Sequence, residues 1–366
     1  MTRGRYVEVC AGAGGMGLGL HRAGWTGTGM EINADAVATH NANVGPCILA
    51  DITTASAPHA ADLVAGGVPC QTFSVAGEQA GLDDPRGHLF ASLLRIGVEA
   101  NARCILLENV RGLVSCGALP VILAAFRAAG YEPVHALLCA ADYGVPQNRV
   151  RLFIAGFRRA DDLAAFRWPA PSHGAPGNLY GLPRWRTVRD ALKLGDGTFA
   201  HGLLPHADPR SPQGMRVLDV DRSAPTVGGS TAELLDRPIG SVTTAKYRRK
   251  VARALRGDVL DAPSPTIMAT EWKSALSHGS RGGESGARRT GDRLIPALAV
   301  FTNTDAVRMT VEQLAALQSF SDDFEFTGTL TSQMKQAGNA VPPLLAEAVG
   351  RSIAAALYAR AASEVA

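Results

Sequence analysis

Between residues 6 and 157 the chain switches repeatedly between short apolar runs and stretches with helical spacing. This alternation restricts the fold more than any other feature. The runs are Tyr6–Cys10, Thr26–Met30, Cys47–Leu49, Asp62–Ala65, Cys104–Leu107, His135–Cys139 and Leu152–Phe157. Most are continuous and aliphatic, as strands covered on both faces are. Helical spacing fills the gaps at Gly17–Ala23, Ala34–Asn43, Leu89–Ala100 and Pro120–Ala129. Seven strands joined by crossover helices predict an α/β fold with a doubly wound, Rossmann-like sheet, and ligands bound beyond the C-terminal strand ends.

After Trp168 the pattern changes. Residues 168–300 are rich in Pro, Gly, Arg and Thr, with little helical period. A weak repeat, Asp221-Arg-Ser-Ala-Pro-Thr-Val227, Asp236-Arg-Pro-Ile-Gly-Ser-Val242 and Asp261-Ala-Pro-Ser-Pro-Thr-Ile267, reads as turns leading into short strands. The Ser277–Arg289 stretch reads as a loop. Helical period returns at Thr310–Phe320 and again from Pro343, where Leu345, Val349, Ile353 and Leu357 form an apolar stripe. At 366 residues the chain exceeds the size at which one core usually keeps growing. The predicted division is a catalytic, cofactor-binding unit over 1–160, completed by 328–366, and a smaller, irregular domain over 161–327.

The charge is unevenly spread. Residues 158–327 hold 23 Lys/Arg and 19 Asp/Glu, a net +4, whereas the remainder holds 13 and 14. The densest run, Lys246 to Arg256, has six cations and no anion, which points to an anionic polymer. The six cysteines form no C-x-x-C pair, which argues for a reducing, cytoplasmic setting and against a zinc centre or a disulfide framework. No apolar run suits a membrane span, and the strand-like opening is expected to leave no room for a signal peptide.

Glu8-Val9-Cys10-Ala11-Gly12-Ala13-Gly14-Gly15-Met16-Gly17 joins the first strand to the first helix. Its glycines let a ligand approach the backbone, yet no Lys-Ser/Thr follows to make a phosphate-binding loop. Glu31 ends the second strand, where an acid can take both hydroxyls of a ribose. Asp51 follows the third, where it can accept from an adenine amino group. A glycine loop followed by two such acids describes an adenosine-bearing cofactor without a phosphate grip, and fits S-adenosylmethionine better than a nicotinamide. Gly66-Gly67-Val68-Pro69-Cys70-Gln71-Thr72-Phe73-Ser74 sets a thiol on a glycine-opened loop after an apolar run, and Glu108-Asn109-Val110 places a carboxyl on another strand. A soft nucleophile and a proton donor, each expected at a strand tip, make a covalent-catalysis arrangement.

In order along the chain these segments resemble the C5-cytosine DNA methyltransferases of bacterial restriction-modification systems. The Gly12-Ala13-Gly14-Gly15 loop is similar to that family's cofactor loop, and Pro69-Cys70-Gln71 to its nucleophile motif. Asp84 to Phe90 is similar to the segment that follows, Glu108-Asn109-Val110 to the acid motif, and Gln147-Asn148-Arg149-Val150-Arg151 to the glutamine-arginine-arginine motif. Leu314 to Phe320 and Gln336 to Pro342 resemble the last two motifs. The resemblance implies S-adenosyl-L-methionine as cofactor, held by Cys10, Ala11, Gly12, Gly14, Gly15, Met16, Glu31, Ile32, Asp51, Ile52, Pro69, Leu89, Asn339 and Val341. It implies catalysis by Cys70, Glu108, Arg149 and Arg151, with no metal, on a cytosine flipped out of double-stranded DNA. Gln71, Ser74 and Arg86, with Lys246, Arg248, Arg249 and Lys250, are the candidate DNA contacts. The middle domain is then a target-recognition domain, the Gln71–Gly87 loop a lid, and a cognate endonuclease a functional partner.

Some positions depart from the family pattern. Cys10 and Ile32 replace aromatic residues beside the adenine, Val68 and Thr72 replace prolines near the nucleophile, Ala76 lacks a hydroxyl, and Ala50 stands for glycine. None removes a group that the chemistry needs. An RNA cytosine-C5 methyltransferase with the same centre, and a catalytically silent DNA-binding relative, are the competing readings.

Overall fold

A computed structural model describes residues 4–69, 87–193 and 310–358, with three isolated two-residue strands, Leu203–Leu204, Ala224–Pro225 and Val307–Arg308. Strands β1 (Gly4–Val9), β2 (Trp25–Glu31), β3 (Cys47–Leu49), β4 (Leu63–Gly66), β5 (Cys104–Val110), β6 (Glu132–Cys139) and β8 (Val150–Phe157) form one sheet, ordered β3-β2-β1-β4-β5-β8-β6. The first five run parallel, and β8 lies antiparallel to both β5 and β6. The short β7 (Gln147–Asn148) pairs instead with Ala224–Pro225. The order reverses on either side of β1, so the glycine loop leaves the sheet at its switch point, where α/β sheets hold their ligands.

Alternation along the strands feeds two cores, one on each face. Tyr6, Leu63, Ala65, Leu106, Phe153 and Phe157 point to one side. There they meet α1 (Gly15–Arg22) and α10 (Pro343–Tyr358). Val7, Val9, Val64, Ile105, Leu107 and Ile154 point to the other, against α3 (Gly87–Glu99) and α5 (Leu119–Ala128). The C-terminal stripe predicted from Leu345, Val349, Ile353 and Leu357 is buried as expected. Trp25 ties it down by donating from Nε1 to the Gly350 carbonyl at 3.0 Å.

Residues 311–358 complete the half of the sheet that carries β1 and β2. Helices α8 (Val311–Leu317) and α9 (Leu330–Asn339) lead into α10, and both start on a threonine cap: Thr310 accepts from the Gln313 N–H, and Thr329 from that of Ser332. The connection between them docks on α2 (Ala34–Asn43), where the Asn43 side chain brackets Glu325 and the Thr39 hydroxyl meets Thr327. The Leu330–Tyr358 stretch has the length and apolarity of a membrane span, yet 67% of its apolar window is buried within the protein. The sequence reading missed α9, whose buried face is built from Met334, Gln336, Ala337 and Gly338 rather than from an aliphatic stripe.

Candidate active site

The glycine loop is a strained turn. Cys10, Gly12 and Gly14 all adopt positive φ, at 52°, 54° and 88°. A non-glycine residue in that region is costly and is often held at a functional site. The turn is held by Glu31, whose Oε2 accepts from the Gly12 N–H at 2.9 Å and whose Oε1 accepts from Ile32 and Asn33, each at 2.9 Å. One carboxylate thereby locks the end of β1 to the end of β2. A Cβ built on Gly12 would meet nothing within 4 Å, so the space above this residue is open, whereas one on Gly15 would collide with the Val341 carbonyl oxygen.

The remaining predicted cofactor residues differ in exposure. Ala11, Met16, Ile52 and Val341 are buried, Leu89 is half-buried, and Ile32 is exposed at 67%. Asp51 is exposed, and its carboxylate accepts from the Thr53 N–H and hydroxyl, which hold it below the usual carboxylate range. Burial pushes the Cys10 thiol up to about 12, so that sulfur is an inert lining group. Asn339 closes α9 and is exposed, and Pro69 is exposed at the mouth of the nucleophile loop. An open backbone cradle bordered by two acids and an exposed aliphatic side chain suits an adenosine-type ligand that carries no phosphate.

A second cluster forms where β5 meets β8. Glu108, Arg149 and Arg151 are all buried, at 7%, 3% and 6% exposure. Arg151 Nε lies 3.2 Å from Glu108 Oε1, and Arg149 donates to the Gly338 carbonyl at 3.3 Å. Glu108 is not at a strand tip: β5 continues to Val110, and Glu108 faces Phe153 within the ladder. Burial raises its carboxyl pKa above the ordinary value, while the guanidinium groups of Arg151 and Arg149 oppose that rise. Burial likewise works against the charge of both arginines, and Arg151 adds repulsion on Arg149.

The nucleophile loop meets this cluster. A Cβ on Gly67 would sit 3.1 Å from Glu108 Oε2, so glycine there lets the loop pass directly over the carboxyl. Asn109 donates from Nδ2 to the Val68 carbonyl at 2.9 Å, two residues before Cys70, and its Oδ1 accepts from the Val110 N–H. The asparagine of the acid motif is therefore a loop anchor, a role that the sequence reading did not assign. Cys70, Gln71, Ser74, Arg86, Lys246, Arg248, Arg249 and Lys250 lie outside the described residues, as do the predicted lid, the 277–289 loop and most of the turn repeat.

Sequence reasoning also missed Gln318. Fully buried in the segment after α8, it donates from Nε2 to the Ala337 carbonyl at 3.0 Å and to that of Gly338 at 3.2 Å. The last carbonyls of a helix lack intrahelical partners. Gln318 and Arg149 together occupy those of α9, just before Asn339 and Val341. Its neighbours Leu314 and Phe320 are the ordinary apolar face of a helix, so nothing but the family pattern marks a glutamine there as special. Among the described residues no group of three His, Cys, Asp or Glu side chains is placed to hold a metal.

A seven-stranded sheet with a glycine loop at its switch point, and with a buried acid and two buried arginines beside a cysteine loop, is the framework of a Rossmann-like methyltransferase. The family model described as "C-5 cytosine-specific DNA methylase" matches residues 4–355, and the chain belongs to that family. It is 30% identical over 363 residues to the Type II methyltransferase M.NgoMIV of Neisseria gonorrhoeae, covering 96% of this chain and 97% of that one. It is 36% identical over 245 residues to the Type II methyltransferase M.AquIA of a Picosynechococcus species, covering 58% and 94%. Among solved structures, the S. pombe Dnmt2 methyltransferase shares the fold with a TM-score of 0.58 at 18% identity, over 97% of this chain and 99% of that one.

Proposed function

We propose that this DNA methyltransferase modifies C5 of a cytosine flipped out of a specific duplex sequence, uses S-adenosyl-L-methionine, and passes through a covalent bond between Cys70 and C6 of the base. One observation carries the reading: Gly67 and the Asn109–Val68 bond bring the loop leading to Cys70 against a buried Glu108 that is flanked by Arg149 and Arg151.

C5 of cytosine is a poor nucleophile. Addition of the Cys70 thiolate to C6 forms the S–C6 bond, moves the ring's electron pair toward N3 and O2, and makes C5 enamine-like. Glu108 transfers its proton to N3 as that charge develops. A carboxyl with its pKa raised by burial holds the needed proton at higher pH than a surface acid does. Arg149 and Arg151 supply fixed positive charge beside the developing anion in a dry site, which is stronger stabilisation than water gives. Bound S-adenosylmethionine supplies the electrophilic methyl group. Gly12, Glu31 and Asp51 would hold its adenosine, with Asn339 and Val341 closing the far side. Water then takes the C5 proton, its electron pair re-forms the C5–C6 double bond as the S–C6 bond breaks and the Cys70 thiolate leaves, and N3 returns its proton to Glu108. In this reading the segment 161–327 recognises the target, its basic run binds phosphate, and a cognate endonuclease is the functional partner.

Duplex DNA bearing 5-fluorocytosine at the target, incubated with enzyme and cofactor, tests this directly, because fluorine cannot leave as the proton does. Wild type is expected to give a complex that survives denaturing electrophoresis, and Cys70→Ala none. Absence of the complex with wild type, or its formation by Cys70→Ala, would overturn the mechanism.

A further inference from the structure

The glycine loop rests on a buried acid and a buried histidine that the proposed chemistry does not use. Glu8, between Val7 and Val9 of β1, is 2% exposed, and His40 of α2 is fully buried. Glu8 Oε2 and His40 Nε2 face each other at 3.8 Å, longer than a hydrogen bond, and neither atom has another partner among the described residues. On the far side of the ring, His40 Nδ1 lies 3.0 Å from the Gly45 carbonyl, which only accepts, so Nδ1 carries a proton.

The pair fits under the loop through glycines. A Cβ on Gly17 would stand 2.7 Å from Glu8 Oε2, one on Gly14 2.7 Å from His40 Cδ2, and one on Gly29 2.8 Å from His40 Nε2. Helix α1 begins at Gly15, and its N-cap Gly14 offers no side chain to the first-turn N–H groups. The Glu8 carboxyl lies directly behind this first turn, at the end of the helix where the dipole favours negative charge.

We infer that Glu8 and His40 share one proton and act together as positioning residues for the cofactor loop, fixing where Gly12 and Gly14 stand relative to Glu31. The inference rests on the cofactor reading above and deepens it. With the shared proton in place, the charge of the pair is balanced across the 3.8 Å between carboxyl and imidazole. Without it, a bare carboxylate faces an imidazole lone pair in a site closed to water, and the turn above must shift.

Both groups titrate upward. Burial raises the Glu8 carboxyl; burial pushes His40 down, but Glu8 and the Gly45 carbonyl together carry it upward. The proton is therefore held beyond the pH at which a free histidine loses it. Its contribution is complete below the free histidine value and disappears as pH rises through the pair's own. Among the described residues the other ionisable groups around the pair are Tyr6, Cys10, His21, Cys47 and Glu31. Tyr6 is bonded to His21 Nε2 at 3.1 Å and raised by burial, His21 is lowered by burial, and Cys10 and Cys47 are each pushed up to about 12. None of the shifted groups changes charge with the pair on the alkaline side of neutrality.

Calorimetric binding of S-adenosylhomocysteine from about pH 6 to about pH 9 tests the inference. Wild type should bind and weaken toward the alkaline end. Glu8→Leu, which leaves the buried imidazole without its acid, should weaken binding about tenfold or more. Glu8→Gln keeps the volume and faces His40 with a polar group, but has no proton to lose. It should weaken binding less than Glu8→Leu and show a flatter pH profile than wild type. The ligand's own amine titrates alike in both proteins, so the difference between profiles isolates the pair. Equal affinity in Glu8→Leu and wild type, or an unchanged alkaline loss in Glu8→Gln, would overturn the inference. Should Glu8→Leu not fold, the profile of Glu8→Gln decides alone. A wild type that never binds the ligand would instead remove the cofactor reading, and this inference with it.

Discussion

Where β1 and β2 end, a half-buried Glu31 and an exposed Asp51 and Ile32 border an open cradle whose main donors are backbone N–H groups. Where β5 meets β8, Glu108, Arg149 and Arg151 crowd into a buried cluster. The first region suits a polar ligand that enters and leaves, because backbone geometry selects it and water competes for every contact. The second suits charge that appears only during reaction, because buried groups interact strongly and need little reorganisation. In the proposed reading, recognition thus falls to an open region of the sheet and chemistry to a buried one.

The largest test of that contrast is Glu108→Gln, which keeps the volume and removes the proton. Methyl transfer to cognate DNA should fall by roughly 10²–10⁴-fold. The alkaline decline expected of wild type, as the raised carboxyl loses its proton, should vanish with it. A glutamine variant of near-normal rate would show that the buried region is structural. Arg151→Met should come next, because a buried ion pair stripped of one partner typically loses about 3–5 kcal/mol of stability, readable by urea unfolding. With its strongest cationic neighbour gone, Glu108 should hold its proton to still higher pH, and residual activity should extend further to the alkaline side.

On the open side the effects should be smaller and of another kind. Glu31→Ala frees three backbone donors, and the affinity for S-adenosylmethionine should fall about tenfold to a hundredfold, while the rate at saturating cofactor changes much less. A collapse of the saturated rate instead would erase the division between the two regions. The smallest effect concerns the basic run. Replacing Arg248, Arg249 and Lys250 by glutamine should flatten the plot of log DNA affinity against log salt by roughly 0.9 for each phosphate that is no longer neutralised. An unchanged slope would make that run a solvated surface.

The fold was legible because parallel strands covered on both faces leave continuous apolar runs. β3, α2 and the start of α10 fall where the pattern places them, and most other boundaries shift by one to three residues. What escaped was polar structure used as core. Helix α9 buries Gln336, which donates from Nε2 to the Thr327 carbonyl, and no hydropathy period marks such a helix. Glu8 was read only as the first letter of a glycine motif. Its position between two buried valines on a strand covered on both faces was the available signal that this acid lies inside. At the site, residue type and position pointed to Glu108 and the family resemblance to the two arginines, but neither pointed to the Asn109 anchor or the Gln318 clamp. Those act on main-chain carbonyls brought near only by folding.

The contacts that cover the inner face of α1 come from far along the chain. Val341 presses its carbonyl on Gly15, Pro343 lies against Gly19, and Gly350, 325 residues further on, takes the Trp25 indole. A nascent chain still on the ribosome therefore carries α1 with its inner face bare until α10 has been made. Pairings this distant in sequence are slow to form, and partly built intermediates of this kind are prone to stick to one another. Truncation before α10 should therefore give an insoluble polypeptide rather than a weaker enzyme.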